Sequence, residues 1–503
     1  MLSPTQEEIV NTPGNMIVRA SAGTGKTHTM VSKIVKEIKD NHSHKVVAAI
    51  TFTIKAANEI RERLTIDPDR HFLGTNNNFV IEEIIRPFMR DVFGKEYNKD
   101  FSTDYSVKVK SYQDGMELIK NQALLVSYEN GKHNFIFELA YNILSNSKAC
   151  QEYLKAKYFK IYIDEYQDCD VDMHKLFMYI CDNLHIDTFV VGDEKQSIYI
   201  WRGAYPQAFL SILNKPNFIE KFMGDNFRSC VQIQNYSNLL CQETKHLYNR
   251  IDDLGNVIIV NVQNGIDWTE KVVELLDSTK RLAVLRYSKN NASKAAEDMN
   301  KRGLDFVYVP QTPIDDITTN TAWLYSAIAK YFIIPTYSVY DVMLIVPEEA
   351  VGNKKIKFFL EKSIAELEEC IIRNDYELFE SKVVGLASYF GYEARTEHVN
   401  KLFCTIVDKQ YHAAFQMDLL KKVAITFHSS KGLEFDQVVI FANDYRLNDS
   451  ESIYNHYVAA TRAKSKLIIV NNEGDYNASC YYKNIQKIFE QSALSVPEVV
   501  TIV

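Results

Sequence analysis

The stretch MIVRASAGTGKTHTM, Met16 to Met30, restricts the fold of this chain more than any other. Met16 to Ala20 read as a short buried strand. Gly23 and Gly25 bracket a turn, and Lys26 and Thr27 open an amphipathic helix that reaches about Ile38. Strand, glycine-rich turn and helix in that order make a phosphate loop, with Ala20 where the pattern has its first glycine. Each part has a chemical reason. From Ala20, Ser21, Ala22, Gly23, Thr24 and Gly25 to His28, backbone N–H groups can close around phosphates. The helix N-terminus adds partial positive charge. Lys26 reaches the β and γ phosphates, and the Thr27 hydroxyl ligates Mg²⁺.

A second strand end answers the first. In IYIDEYQDCD, Ile161 to Asp170, three β-formers lead into Asp164 and Glu165. Two acids at the end of a buried strand are costly unless a cation or a reaction needs them. In a phosphate-loop fold, Asp164 holds Mg²⁺ and Glu165 orients the attacking water. ATP and Mg²⁺ are thus the expected cofactors, and the expected fold class is α/β.

Composition sets the remaining bounds. At 503 residues the chain is too long for one core, so two to four domains are expected. With 46% hydrophobic and 24% charged residues it is an ordinary globular sequence. A net charge of −8 neither favours nor excludes nucleic acid, because binding depends on a local basic face. The eight cysteines include no C-x-x-C pair, which argues against a zinc ribbon and for reduced thiols in the cytoplasm. The N-terminal MLSPTQEEIV shows no signal peptide. No apolar run approaches the ~18 residues of a membrane span.

Eight segments in order resemble the motifs of the UvrD/PcrA/Rep branch of superfamily 1 helicases. They are LSPTQ, ASAGTGKT, ITFTIKAANEIRERL, IDEYQD, VGDEKQSIYIWRGA, DNFRS, ITFHSSKGLEF and YVAATRA. The resemblance implies two RecA-like phosphate-loop NTPase domains with shortened, mainly helical insertions. By motif spacing, residues 1–80 and 135–215 form the first domain and 81–134 its insertion. Residues 216–310 and 415–503 form the second, and 311–414 its insertion. In that last insertion, KIKFFLEKSIAELEECIIRNDYELFESKVVGL repeats its apolar residues at helical spacing. About 40 residues follow the last motif, which leaves little room for a fused nuclease.

The resemblance also implies roles. Gln6 sits where the family reads adenine, and Phe227 stands where a stacking tyrosine is usual. Gln196 senses the γ-phosphate and couples it to the DNA groove. Arg228 and Arg462 are arginine fingers, and Glu434 accepts a hydrogen bond from the ribose. Phe52, Tyr199 and Trp201 are DNA-stacking residues, and stacking is indifferent to base identity. Thr75, Arg202 and His428 contact the strand backbone or support the groove. There are departures on the DNA side: Ile54 replaces an amide, and a usual histidine is missing near Asn77.

Stretches outside the motifs, such as GTNNNFVIEEIIRPFMRDVFGKEY and FVYVPQTPIDD, are similar to the helicase-like subunits of the Gabija anti-phage systems. That narrower resemblance implies DNA and a TOPRIM-type, GajA-like nuclease subunit as partners in a hetero-oligomer. The expected activity is DNA-dependent ATP hydrolysis with 3′→5′ helicase or translocase movement in antiviral defence. One alternative is a regulatory subunit, gated by nucleotide and DNA ends, that activates a nuclease with little unwinding. Another is a general DNA repair helicase, which would predict longer accessory domains.

Overall fold

The computed structural model describes residues 2–65, 67–97, 100–200, 203–263, 265–346 and 353–503. The chain divides into two compact units. One comprises Met1–Phe101, Lys108–Leu275 and Phe427–Val503; the other comprises Ser102–Val107 and Leu276–Thr426.

The first unit is built on six strands: β1 (Met16–Ala20), β2 (Val46–Thr51), β3 (Phe72–Thr75), β4 (Tyr158–Ile163), β5 (Asp187–Gly192) and β6 (Ile219–Met223). Their order is β3-β2-β4-β5-β1-β6, and every pairing is parallel. Strands such as VVAAIT and DTFVVG are almost wholly buried, as expected when both faces of a parallel sheet are covered. Because all six run the same way, the carboxyl ends of β1, β2, β4 and β5 open on one edge. Ligands of such sheets bind at that edge. Four further parallel strands of this unit, Phe435–Phe441, Ala463–Asn472, Val257–Val262 and Thr501–Ile502, pair in that order.

Two helices set the phosphate loop. Helix α1 (Pro4–Asn11) starts with a capping box in which Ser3 and Gln6 satisfy each other's backbone. Helix α2 (Lys26–Asp40) starts at Gly25, whose φ of 79° is left-handed, and no side chain caps it. Its first N–H groups are therefore left for a ligand. The buried side of α2, including Met30, Val31 and Ile34, packs with Val18, Tyr162, Phe189 and Val191 of the sheet.

A buried charge cluster ties α2 to the sheet. Glu37 lies 2.8 Å from the ammonium of Lys33 and 2.9 Å from that of Lys160, and it accepts the Tyr162 hydroxyl. Lys33 also donates to the carbonyls of Ile9 and Thr12 and so closes the C-terminal end of α1. Burial pushes the Glu37 carboxyl up, but Lys160, Lys33 and Tyr162 more than offset it and hold it below its ordinary value.

The second unit has three parallel strands in the order Val307–Tyr308, Lys422–Thr426, Leu282–Arg286. Helices Ala322–Ile333, Val339–Ile345, Lys354–Arg373, Tyr376–Tyr389 and Thr396–Val407 enclose a core that includes Leu324, Ile328, Leu360, Leu367, Phe379 and Leu402. The helical stretch read from the apolar spacing is two helices. Asn374 turns left-handed at φ 54°, and Asp375 caps the next helix through the Leu378 N–H.

Replacing Glu37 by leucine leaves two buried ammonium groups without their anion. We expect a loss of about 3–5 kcal/mol in urea unfolding at neutral pH. Because the carboxyl is held below its ordinary value, its contribution is present at neutral pH. The difference between wild type and variant should therefore shrink as pH falls through the carboxylate range.

Candidate nucleotide site

At the carboxyl edge of the first sheet lies a cleft of about 690 Å³. Gly23–His28, Phe52, Asp164, Glu165, Gln196, Tyr199, Arg228, Glu434 and Arg462 are among its lining residues. All of them belong to the first unit.

The phosphate loop is held from several sides. The Ser21 N–H donates to Met223, the Thr24 hydroxyl to Ser21, and the Phe227 N–H to Gly23. Gly23 needs to be glycine twice over: its φ is 76°, and a Cβ would come within 2.4 Å of Asn226 Oδ1. The Ala22 N–H donates to the Tyr457 hydroxyl, which in turn reaches Asp193. Gln6 is buried. Its amide donates to the Thr24 carbonyl at 3.0 Å and accepts from the Ser3 N–H, so in this structure it braces the loop. Ala20 and Ser21 are buried, Thr27 is half-buried and His28 is exposed.

The acids stand at the end of β4. Asp164 accepts the Glu165 N–H at 2.8 Å, and Glu165 lies 3.8 Å from Lys26. Glu165 has a φ of 51°, a left-handed conformation that costs a non-glycine residue about 1–2 kcal/mol. Its carboxylate is aimed by the Gln167 amide at 2.5 Å. Burial and the adjacent charge of Glu165 push Asp164 up to about 7, against the pull of Lys26. Burial also raises Glu165, but Lys26 and Lys431 outweigh it and leave that carboxyl below its usual range. At the end of β5, Asp193 accepts the Gln196 amide at 2.8 Å and pairs with Lys195 at 2.6 Å.

Two arginines line the same cleft. Arg228 pairs with Glu434 at 2.7 Å, and Glu434 also meets Lys464 at 3.3 Å. Arg462 is 1% exposed. It donates to the carbonyls of Val458 and Leu433 and to the Thr461 hydroxyl, and among the described residues no carboxylate pairs with it. Burial and the neighbouring charge of Arg228 lower its pKa to about 10. A desolvated guanidinium surrounded by neutral oxygens is a site for an anion.

These features fit a nucleotide triphosphate. The start of α2 is uncapped, Lys26 meets a carboxylate only at the long distance of 3.8 Å from Glu165, and among the described residues Arg462 pairs with no carboxylate and the buried Ser21 hydroxyl has no hydrogen-bond partner. The described residues hold no cluster of three or more metal-ligating side chains. Thr27 and Asp164 would hold Mg²⁺ together with phosphate and water, which is how Mg²⁺ usually binds.

The positions expected to meet DNA divide. Phe52 and Tyr199 line the cleft. Thr75 caps the helix Asn76–Val80, and His428 lies against Phe427 with ring centroids 3.8 Å apart; neither lines the cleft. Trp201 and Arg202 lie outside the described residues. Phe227 is 63% exposed and Ile54 67% exposed. Sequence reasoning passed over Lys431 and Tyr457, although both stand inside the motif segments SKGLEF and YVAATRA.

A phosphate loop, paired acids at a parallel strand end and arginines across one cleft define a phosphate-loop NTPase of the helicase type. A model of the AAA domain matches residues 6–202, and one of the UvrD-like helicase C-terminal domain matches 422–470. The Gabija protein GajB of Bacillus cereus (strain VD045) is 40% identical over 493 residues, covering 96% of this chain and 98% of that one. The chain belongs to the GajB family, within the UvrD/Rep-like helicases. The ATP-dependent DNA helicase Rep of Escherichia coli (strain K12) is 26% identical over 299 residues, half of this chain and 44% of Rep. A probable DNA helicase II homolog of Rickettsia conorii is 24% identical along the whole chain, in an alignment of 656 positions. No helix among the described residues is long and apolar enough to cross a membrane.

Asp164 gives a pH prediction. Its folded pKa of about 7 exceeds the ordinary value near 3.9, so ionising it opposes folding. Stability is lost as pH rises from the carboxylate range through about 7. Without nucleotide or metal, Asp164→Asn should raise stability at pH 8 by about 1–3 kcal/mol. The gain should shrink by pH 5, as read from denaturant midpoints.

Proposed function

We propose that the chain is an Mg²⁺-dependent ATPase stimulated by DNA, moving 3′→5′ as a helicase or translocase. In this reading it works in antiviral Gabija defence with a TOPRIM-type nuclease subunit. The observation that carries the reading is the buried, anion-seeking Arg462, which lines the same cleft as Lys26, Asp164 and Glu165. The match to GajB along nearly the whole chain supports the defence role.

In this mechanism the start of α2 and Lys26 hold the β and γ phosphates. Thr27 and Asp164 would hold Mg²⁺, which when bound would neutralise charge on the phosphates. Glu165 orients the attacking water and accepts its proton; the strained backbone and the Gln167 amide hold its carboxylate in one direction. Arg228 and Arg462 stabilise charge that develops on the γ-phosphate. Arg228 must first exchange Glu434 for phosphate, and Glu434 is then available to the ribose hydroxyls. Phe227 offers an open ring face to adenine. Phe52 and Tyr199 give the strand stacking surfaces beside the same cleft.

A second reading has a specific motive. The catalytic groups pair with one another here: Arg228 with Glu434, and Lys26 near Glu165. Ile54, exposed where an amide is usual, also weakens the DNA side. A subunit that switches a nuclease in response to nucleotide and DNA ends, with little unwinding, accounts for both.

Lys26→Ala should reduce ATP turnover to background. Glu165→Gln should bind ATP but turn over about 10²–10⁴-fold more slowly. Arg462→Ala should lose about 10³–10⁵-fold in turnover. Measurable turnover by Lys26→Ala above a contaminant control would contradict the assignment. Strand displacement on 3′-tailed and 5′-tailed duplexes separates the two readings. Robust unwinding from the 3′ tail by the isolated chain supports the motor, and none supports the regulatory subunit.

A further inference from the structure

Tyr457 stands near the end of the helix Ser450–Ala460, which Arg462 closely follows, and it is buried. Its hydroxyl accepts the Ala22 N–H of the phosphate loop at 3.1 Å and donates to Asp193 Oδ2 at 3.2 Å. The Gln196 amide donates to the same oxygen at 2.8 Å, while Lys195 holds Asp193 Oδ1 at 2.6 Å. From Asp193 the bonds continue. Its N–H donates to Gln167 Oε1 at 3.0 Å, and the Gln167 amide donates to Glu165 Oε2 at 2.5 Å. Asp193 and Gln167 are buried as completely as Tyr457.

Donor and acceptor capacity fixes the direction of every link. Burial pushes the Asp193 carboxyl up, but the charges of Lys195 and Lys26 outweigh it and hold it below its ordinary value. A carboxylate only accepts, so the Tyr457 proton points at Asp193 and the hydroxyl lone pairs are left for Ala22. The Asp193 N–H only donates, so Gln167 turns its carbonyl oxygen toward it and its NH₂ toward Glu165. A Cβ at Gly192 would lie 2.5 Å from Gln167 Oε1, so the glycine leaves that amide the room to make its link. Buried bonds in such a chain polarise and reinforce one another.

Resting on the functional reading above, we infer that Tyr457 is a positioning residue for hydrolysis, its one hydroxyl fixing Asp193 and thereby aiming Gln196 and, by way of Gln167, Glu165. The same hydroxyl holds the phosphate loop at Ala22. The loop, the γ-phosphate sensor and the water-orienting acid thus keep one register. Tyr457 acts through these groups and not on the nucleotide. Removing its hydroxyl leaves nucleotide binding in place and misdirects the attack. A misplacement of about 1 Å in a reacting geometry costs about 10²-fold in rate.

The test compares wild type, Tyr457→Phe and Tyr236→Phe on the full chain with single-stranded DNA present. It measures kcat for ATP and the Kd of a fluorescent, non-hydrolysable ATP analogue. Tyr457→Phe removes the hydroxyl and keeps the ring. Tyr236→Phe removes a buried hydroxyl that meets His456 of the same helix but lies outside this chain of bonds. Tyr457→Phe should lose about 10–10²-fold in kcat while the analogue binds as it does to wild type. Tyr236→Phe should keep the wild-type kcat. Gly192→Ala, which pushes the Gln167 amide aside from the other end, should show the same split as Tyr457→Phe, and it decides the matter if Tyr457→Phe does not fold. Wild-type kcat in Tyr457→Phe, or in a folded Gly192→Ala, overturns the inference. So does an equal loss of kcat in Tyr236→Phe, which would mark a general loosening of the helix. A loss of analogue affinity in Tyr457→Phe as large as its loss of kcat overturns it too. A wild type with no ATP turnover contradicts the functional reading itself, and this inference with it.

Discussion

Arg462 is buried among carbonyl and hydroxyl oxygens, and Asp164, lining the same cleft, is buried beside a second carboxylate. Neither charge has the partner that burial ordinarily demands. A magnesium nucleotide would supply both deficits at once, phosphate for the arginine and cation for the aspartate. The surrounding geometry follows from keeping those two demands facing one cleft. Parallel strands bring the acids and the phosphate loop to a common edge, and Gly23 lets the loop pack against Asn226 and Arg228.

The charges that line the cleft pair with one another. Arg228 takes Glu434, Lys26 leans toward Glu165, and Lys431 takes Asp168. In the proposed mechanism Arg228 must leave Glu434 before it can reach phosphate. Behind the loop, by contrast, the Lys33–Glu37–Lys160 cluster pairs its carboxylate with both ammonium groups. The contrast separates charge that holds the fold from charge that awaits a ligand.

Much of the cleft was legible in the sequence because its chemistry sits in contiguous segments. GTGKT requires left-handed glycines before a helix, and IYIDE requires a buried strand ending in acids; the structure forms both as read. Other features were hidden because they depend on long-range packing. The bracing of Thr24 by Gln6 and the pairing of Arg228 with Glu434 join residues far apart in the chain. The reach of Lys431 to Asp168 crosses 263 positions. In the helical insertion the spacing showed helix without fixing its ends; the Asn374–Asp375 pair marks where one helix stops and the next is capped.

The central claim is that this cleft is complementary to ATP at the moment its γ-phosphate is attacked. The most direct measurement compares the affinity of the wild-type chain for ADP with that for ADP plus aluminium fluoride and Mg²⁺, in the presence of single-stranded DNA. The account predicts that the transition-state mimic binds at least about 10²-fold more tightly than ADP alone. It also predicts that Arg462→Ala removes most of that gain. Equal affinity for the two ligands in the wild type would contradict it.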